Sequence, residues 1–124
     1  MANTEASSGA FVVRRLAAVY AGAAPGANTN VFTAVTPSPN CCAMRLTICL
    51  TTGSKVDVQV TDGTTAYSQT LNNNTALTAA CLYTFTFGVA ATKDGTTALS
   101  YSIRYQTDSI TQILLLDEVT GPVT

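Results

Sequence analysis

The sequence predicts an all-β protein: an antiparallel two-sheet β-sandwich or jelly-roll-like fold of about eight strands, with an extended N-terminal arm. Three observations favour this fold. Long segments alternate apolar and polar residues with a period of two, which is typical of strands with one buried face. Turn signals separate these segments by roughly 8–12 residues. Threonine, whose branched side chain suits a pleated sheet, supplies 22 of the 124 residues.

The N-terminal part of the chain is expected to be an arm, residues 1–22, that precedes a single domain, residues 23–124. Residues 1–10 are small and polar, as in a flexible tail. Residues 11–22 contain β-branched and aromatic side chains, which favour a strand over a short helix. The arm is therefore predicted to be extended.

A loop and a short strand are expected next. Pro25-Gly26 and the neighbouring asparagines mark a loop at the start of the domain. Residues 31–35 (VFTAV) suit a short strand, and the two prolines in residues 36–40 should end it.

The middle of the chain is predicted to be a meander of three antiparallel strands. Residues 43–52, 55–62 and 64–71 each alternate in character, and Asp62-Gly63 is a strong hairpin signal between the last two. The residues expected to share one face are Met44, Leu46, Ile48 and Leu50, then Val56, Val58 and Val60, then Tyr67, Gln69 and Leu71.

The last part of the chain is predicted to contain three more strands. Residues 71–81 form a polar connection that has room for one helical turn, with Leu77 inserted into the core. A hairpin loop pivots on Asp94-Gly95. Residues 110–119 are apolar enough to be covered on both faces. The expected inner-face residues are Cys81, Tyr83, Phe85, Phe87 and Val89 of one strand and Leu99, Tyr101, Ile103 and Tyr105 of the next.

The residue types that are missing exclude most catalytic chemistry. With no histidine, a Ser–His–Asp or Cys–His arrangement cannot form. Asp117 and Glu118 are neighbours on a strand, so their side chains point to opposite faces. Asp62 and Asp94 each precede glycine, so a turn explains them better than catalysis does. We therefore predict no enzymatic activity, no catalytic residue and no cofactor.

The cysteines do not indicate a metal site. Cys41, Cys42, Cys49 and Cys81 form no C-x-x-C pair, and no histidine can complete a zinc site. Calcium-loop and phosphate-loop motifs are also absent. We expect free, mostly buried thiols in a protein assembled in a reducing cytosol. The alternative is a disulfide between Cys81 and either Cys42 or Cys49.

Charge is scarce, at 10% of residues and a net −1, which favours association with other protein. The basic residues outside the arm are isolated along the chain, so the basic patch of a nucleic-acid binder is missing. No apolar run of about 18 residues exists to span a membrane. Residues 14–24 have the outline of a signal peptide, but their apolar stretch is too short and contains Tyr20 and Gly22.

The arm is the candidate partner-binding element. An extended arm can add a strand to the exposed edge of a neighbouring chain. The alternative is that it covers an edge strand of its own domain. The candidate partner-binding residues are Phe11, Val12, Val13, Arg14, Arg15 and Leu16.

Roughly residues 46–120 resemble the small β-sandwich structural proteins of tailed-phage virions, in particular head-decoration and related head or tail components. The hairpin V-x-V-x-V-T-D-G-T at 56–64, the polar N-N-N-T-A-L at 72–77 and the aromatic Y-T-F-T-F at 83–87 carry this resemblance. It implies a virion protein, assembled in the host cytoplasm, that forms homo-oligomers, often trimers. Such a protein binds over neighbouring major capsid or tail subunits and stabilises them. The resemblance does not separate head from tail.

Two other functions remain alternatives. The first is a receptor- or glycan-binding module of a fibre or surface appendage, in which Tyr67 or Tyr105 would contact the sugar. Most aromatic residues fall on predicted inner faces, and the chain has no Trp, which argues against it. The second is an enzyme, which would need two carboxylates that converge across a cleft.

Overall fold

The structure is a computed structural model that describes residues 12–23, 25–38, 41–88 and 99–120. Within these residues, seven strands form two antiparallel sheets, which confirms the predicted all-β class. The strands are β1 (Val12–Ala23), β2 (Cys41–Leu50), β3 (Val56–Thr61), β4 (Ala66–Thr70), β5 (Tyr83–Gly88), β6 (Ser100–Tyr105) and β7 (Thr111–Thr120), and one helical turn, α1 (Leu71–Asn74), follows β4.

The four-stranded sheet has the order β1-β7-β2-β5, so the last strand lies between the first and the second. Strand β7 is therefore hydrogen-bonded to a neighbouring strand on each side. The side chains of β7 are covered less evenly than expected. Leu114 and Leu116 are fully buried, whereas Ile113 and Leu115 on the opposite side are half-buried.

The three-stranded sheet has the order β4-β3-β6, and its hairpin forms at the predicted turn. Gly63 adopts a φ of +94°, a conformation that glycine reaches without strain. The Asp62 carboxylate accepts hydrogen bonds from the backbone N–H groups of Thr64 and Thr65 at 2.8 and 2.7 Å. The backbone bonds from Thr65 and Thr64 lower the pKa of Asp62. A turn role for this carboxylate is confirmed.

Both sheets contribute to one hydrophobic core. The alternation predicted for β2, β3 and β6 places their apolar faces in it, and Leu77 inserts into it as expected. Its fully buried members include Met44, Leu46, Ile48 and Leu50 from β2, Val56 from β3, Ile103 and Tyr105 from β6, and Leu114 and Leu116 from β7.

The prediction of a short strand at residues 31–35 is wrong. Residues 31 and 32 form a bend, so the segment meets β6 only at separate points. The N–H of Val31 donates to the carbonyl of Ile103 at 2.8 Å, and that of Val35 donates to the carbonyl of Tyr101 at 2.9 Å. The segment therefore runs along the edge of β6 as an irregular cover.

The environment of Cys81 was also predicted wrongly. It is exposed, because it lies in the turn before β5, which begins at Tyr83. Cys49 and Cys81 are free thiols, so neither disulfide considered from the sequence is present. Cys41 and Cys49 are buried, as expected. Three other predictions concern positions outside the described residues and side chains. They are the inner-face positions of Phe87 and Val89 and the loop at Asp94-Gly95.

Candidate functional site

Strand β1 holds the candidate partner-binding residues that the structure describes. It pairs antiparallel with β7 of the same chain, from Val12 opposite Thr120 to Ala23 opposite Thr111. Val12 and Val13 are 59% and 49% exposed. Leu16 is partly buried and packs against the core, while Phe11 lies outside the described residues. In this chain β1 thus covers the edge of its own domain, the alternative that the sequence left open.

Arg14 is anchored by a buried carboxylate. Its Nε donates to Oε1 of Glu118 at 2.6 Å, and Glu118 is 0% exposed. Ser38 donates its backbone N–H and its hydroxyl to the same carboxylate, each at 2.6 Å. Burial raises the pKa of Glu118, but the hydrogen bonds from Arg14 and Ser38 outweigh it, so this pKa lies below its ordinary value. The buried charge therefore has three donors.

Arg15 is held on the opposite side of the sheet. Its Nε donates to Oδ1 of Asp117, and Arg45 of β2 donates to Oδ2 of the same carboxylate at 3.4 Å. The hydrogen bond to Asp117 raises the pKa of Arg15. One almost fully buried carboxylate thus joins β1, β7 and β2 in a row. Both arginines of the arm contact carboxylates of their own chain.

Apart from this charged row, the outer face of the four-stranded sheet is mainly apolar. This outer face is the side opposite Leu114 and Leu116, and the strand register identifies its members. Tyr20 on it is 64% exposed. In the described strands, its uncharged residues are Val13, Ala18 and Tyr20 from β1, Ile113, Leu115 and Val119 from β7, Ala43, Thr47 and Cys49 from β2, and Thr84 and Thr86 from β5.

The outer face of the three-stranded sheet has the opposite character. Its buried Asp57 accepts hydrogen bonds from the Thr70 hydroxyl at 2.7 Å and the Gln106 amide at 3.0 Å, and pairs with Arg104. Except for Ala66, its residues are polar: Asp57, Gln59 and Thr61 from β3, Ser68 and Thr70 from β4, and Ser100, Ser102 and Arg104 from β6. The described chain therefore has one outer face that is mainly apolar outside its charged row and one outer face that is polar.

Sequence reasoning placed Asp117 and Glu118 on opposite faces, and the structure confirms it. It missed their role as anchors of the arm, because their partners lie on strands far away in the sequence. It also missed Ser38. Tyr105, proposed as a sugar contact, is 0% exposed and cannot have that role, whereas Tyr67 is 51% exposed.

The described residues contain no group of three or more His, Cys, Asp or Glu that could hold a metal ion. No helix in the same part of the chain is long and apolar enough to cross a membrane. Compared with protein-family models, curated proteins and solved structures, the chain shows no match.

Proposed function

We propose that this chain is a non-enzymatic structural protein whose two sheets pack as a jelly-roll-like β-sandwich and which assembles through the outer face of the four-stranded sheet. The observation that carries the proposal is the contrast between the two outer faces. Tyr20 and Val13 lie exposed on one, while the other is polar. Exposed apolar patches of this kind are typical of protein–protein contact sites.

The proposed occupant of the outer face is a second copy of this chain. The net charge of −1 gives copies little reason to repel one another. Among the described strands, β1 is also an edge of its sheet and is 12 residues long, so this edge continues the apolar face. An unpaired strand edge is a template for pairing with another chain. Edge and face together offer one continuous surface.

We further propose that the assembly is a virion component that lies over neighbouring capsid or tail subunits and stabilises them. The support is the resemblance of residues 46–120 to head-decoration and related proteins.

The mass of the chain in solution tests the assembly proposal. We would measure it by light scattering after size exclusion for the wild type, for Tyr20→Ser and for the matched control Tyr67→Ser. Tyr67 is similarly exposed but belongs to the three-stranded sheet. We expect an oligomer for the wild type and the control, and a shift toward monomer for Tyr20→Ser. A monomeric wild type, or a Tyr20→Ser protein that assembles normally, contradicts the proposal.

Truncation gives a second test, provided that β1 is kept. Leu16, Ala17 and Val19 of β1 pack against the core, so removal of residues 1–22 would also uncover β7. Removal of residues 1–11 avoids this loss. Because the proposed surface begins at β1, we expect this shorter chain to assemble like the wild type. A monomeric product would instead assign assembly to the removed segment.

A further inference from the structure

A cleft lies between α1 and the edge strand β5, at the side of the four-stranded sheet opposite to β1. Its volume is about 480 Å³, and its lining includes Gln69, Thr70, the asparagines at 72–74, Phe85 and Thr86. Among the described strands, β4 and β5 are edge strands of the two different sheets. The cleft therefore lies where the edges of the two sheets approach each other. Its volume is within the range of roughly 300–1,000 Å³ that is usual for small-molecule sites.

The lining has the chemistry of a neutral, hydroxyl-rich ligand. Asn, Gln and Thr side chains each donate and accept hydrogen bonds, which is what a sugar hydroxyl requires. Among the described residues, no charged side chain lines the cleft, whereas phosphate or carboxylate recognition normally uses Arg or Lys. Phe85 adds an apolar wall. Its ring stacks on Tyr83 with centroids 5.9 Å apart and planes 6° apart, so it is held in place.

The asparagines are fixed in an unusual backbone conformation. Asn72, Asn73 and Asn74 have φ angles of 55°, 53° and 60°, all in the left-handed region. Asparagine tolerates this region better than most residues, but left-handed residues normally occur singly. Strained backbone of this kind persists where the surrounding structure holds it, and it clusters at ligand sites.

Both ends of the strained turn are held by the core. Leu71 and Leu77 are 6% and 2% exposed, and the N–H of Leu77 donates to the carbonyl of Ser54 at 2.8 Å. The N–H of Thr75 donates to the carbonyl of Asn72 at 3.1 Å. The amides that line the cleft are thus presented by a fixed frame, which reduces the entropy lost when a ligand binds.

We propose that this cleft binds a neutral saccharide. The side-chain amides of Asn73 and Asn74 hydrogen-bond its hydroxyl groups, and a C–H face of the sugar packs against Phe85. The cleft shares Thr86 with the outer face of the four-stranded sheet, but Tyr20 lies on β1, at the opposite edge of that sheet. The cleft can therefore be tested without changing Tyr20.

The test is a titration of the ¹⁵N-labelled protein, followed by NMR, with lactose, maltose and cellobiose at millimolar concentrations and with inorganic phosphate as the charged control. We expect at least one disaccharide to shift the amide signals of residues 69–74, 85 and 86, and phosphate to leave them unchanged. No response to any of the three sugars overturns the proposal. A response to phosphate at the same signals also overturns it, because it would indicate an anion site.

A double variant, Asn73→Gly with Asn74→Gly, separates binding from folding. Glycine adopts the left-handed conformation without strain, so this variant keeps the turn and removes only the two amides. Because two hydrogen bonds to the ligand are lost, we expect sugar affinity to fall about tenfold or more, with thermal stability unchanged or raised. Unchanged affinity contradicts the proposal.

Phe85→Leu keeps an apolar side chain against the core but removes the ring, so we expect weaker sugar binding in a folded protein. Tyr20→Ser, which alters only the outer face, should bind the sugar like the wild type. Normal binding by Phe85→Leu, or loss of binding in Tyr20→Ser, would contradict the assigned contacts.

Discussion

The phenol oxygen of Tyr105 and the hydroxyl oxygen of Thr111 lie 2.7 Å apart and join the two sheets by a hydrogen bond. Tyr105 ends β6 in the three-stranded sheet, and Thr111 begins β7 in the four-stranded sheet. Both residues are 0% exposed. A buried hydroxyl without a partner is costly, so each group satisfies the other at a point where water is excluded.

Replacement of Tyr105 by Phe should lower the free energy of unfolding by about 1–3 kcal/mol, because the Thr111 hydroxyl then stays buried without that partner. Urea unfolding at neutral pH measures this loss. Tyr67→Phe, at an exposed position, is the matched control and should change stability by less than about 0.5 kcal/mol. Equal effects of the two substitutions would contradict the role assigned to the hydrogen bond.

Ionisation of the Tyr105 phenol should lower the stability of the protein in alkali. Burial raises the pKa of Tyr105 to about 12, although the bond to Thr111 acts in the opposite direction. Between pH values of about 10 and 12 the Tyr105 phenol stays protonated in the folded chain but ionises in the unfolded chain. The free energy of unfolding therefore falls by about 1.4 kcal/mol per pH unit. The Tyr105→Phe variant has no phenol and lacks this pH dependence. Urea unfolding across this range should therefore show the wild type approaching the variant, and parallel curves would contradict this.

Glu118→Gln should destabilise the protein by about 1–3 kcal/mol at neutral pH, because the charge-assisted bonds from Arg14 and Ser38 are lost. The folded pKa of Glu118 is lowered, so its contribution is present above the ordinary pKa and disappears as pH falls through the folded value. The difference from wild type, measured by urea unfolding, should narrow in acid. The exposed Asp108→Asn serves as control. A difference that is the same at all pH values would refute the assigned ionisation.

Leu77→Ala should cost about 2–5 kcal/mol, the usual loss when a buried leucine is truncated and leaves a cavity. Leu77 is 2% exposed, whereas Leu82 is 62% exposed, so Leu82→Ala is a matched control. Thermal or urea unfolding of the two variants should differ clearly. A similar small loss for both would mean that Leu77 does not fix the connection to the core.

Gly63→Ala tests the hairpin turn through its backbone alone. No heavy atom lies within 4 Å of the added Cβ, so any destabilisation reports strain at the φ of +94°. We expect a loss of about 1–3 kcal/mol. Asn tolerates positive φ better, so Gly63→Asn should cost less than Gly63→Ala. The reverse order in chemical unfolding would contradict a backbone explanation.

The strands and the hairpin turn that were predicted correctly depend on residues close together in the sequence. Residues 44–50 and 99–105 alternate strictly, because one side of each strand enters the core. Asp62-Gly63 carries its own turn chemistry, with short side-chain bonds and a positive φ. Such patterns need no knowledge of the neighbouring strands.

Features that depend on neighbouring strands could not be predicted in this way. Glu118 faces the core because Arg14 and Ser38, which lie 104 and 80 residues away in sequence, supply its donors. Residues 31–35 carry a strand-like composition, yet they follow β6 only as an irregular cover. The cleft forms because β5 lies beside α1, which the local sequence does not show. A helical turn was expected at residues 71–81, but the left-handed conformation of the three asparagines was not.

The pairing of the first strand with the last has a consequence for the order of folding. A ribosome delivers β1 early, but its only described strand partner is β7, which contains Thr111–Thr120. The hairpin of β3 and β4 can close as soon as it emerges, whereas β1 must wait for almost the whole chain. Pairings so distant in sequence slow folding. During that delay Val12, Val13 and Tyr20 belong to an open strand, so nascent chains should aggregate or recruit chaperones until the last strand is complete.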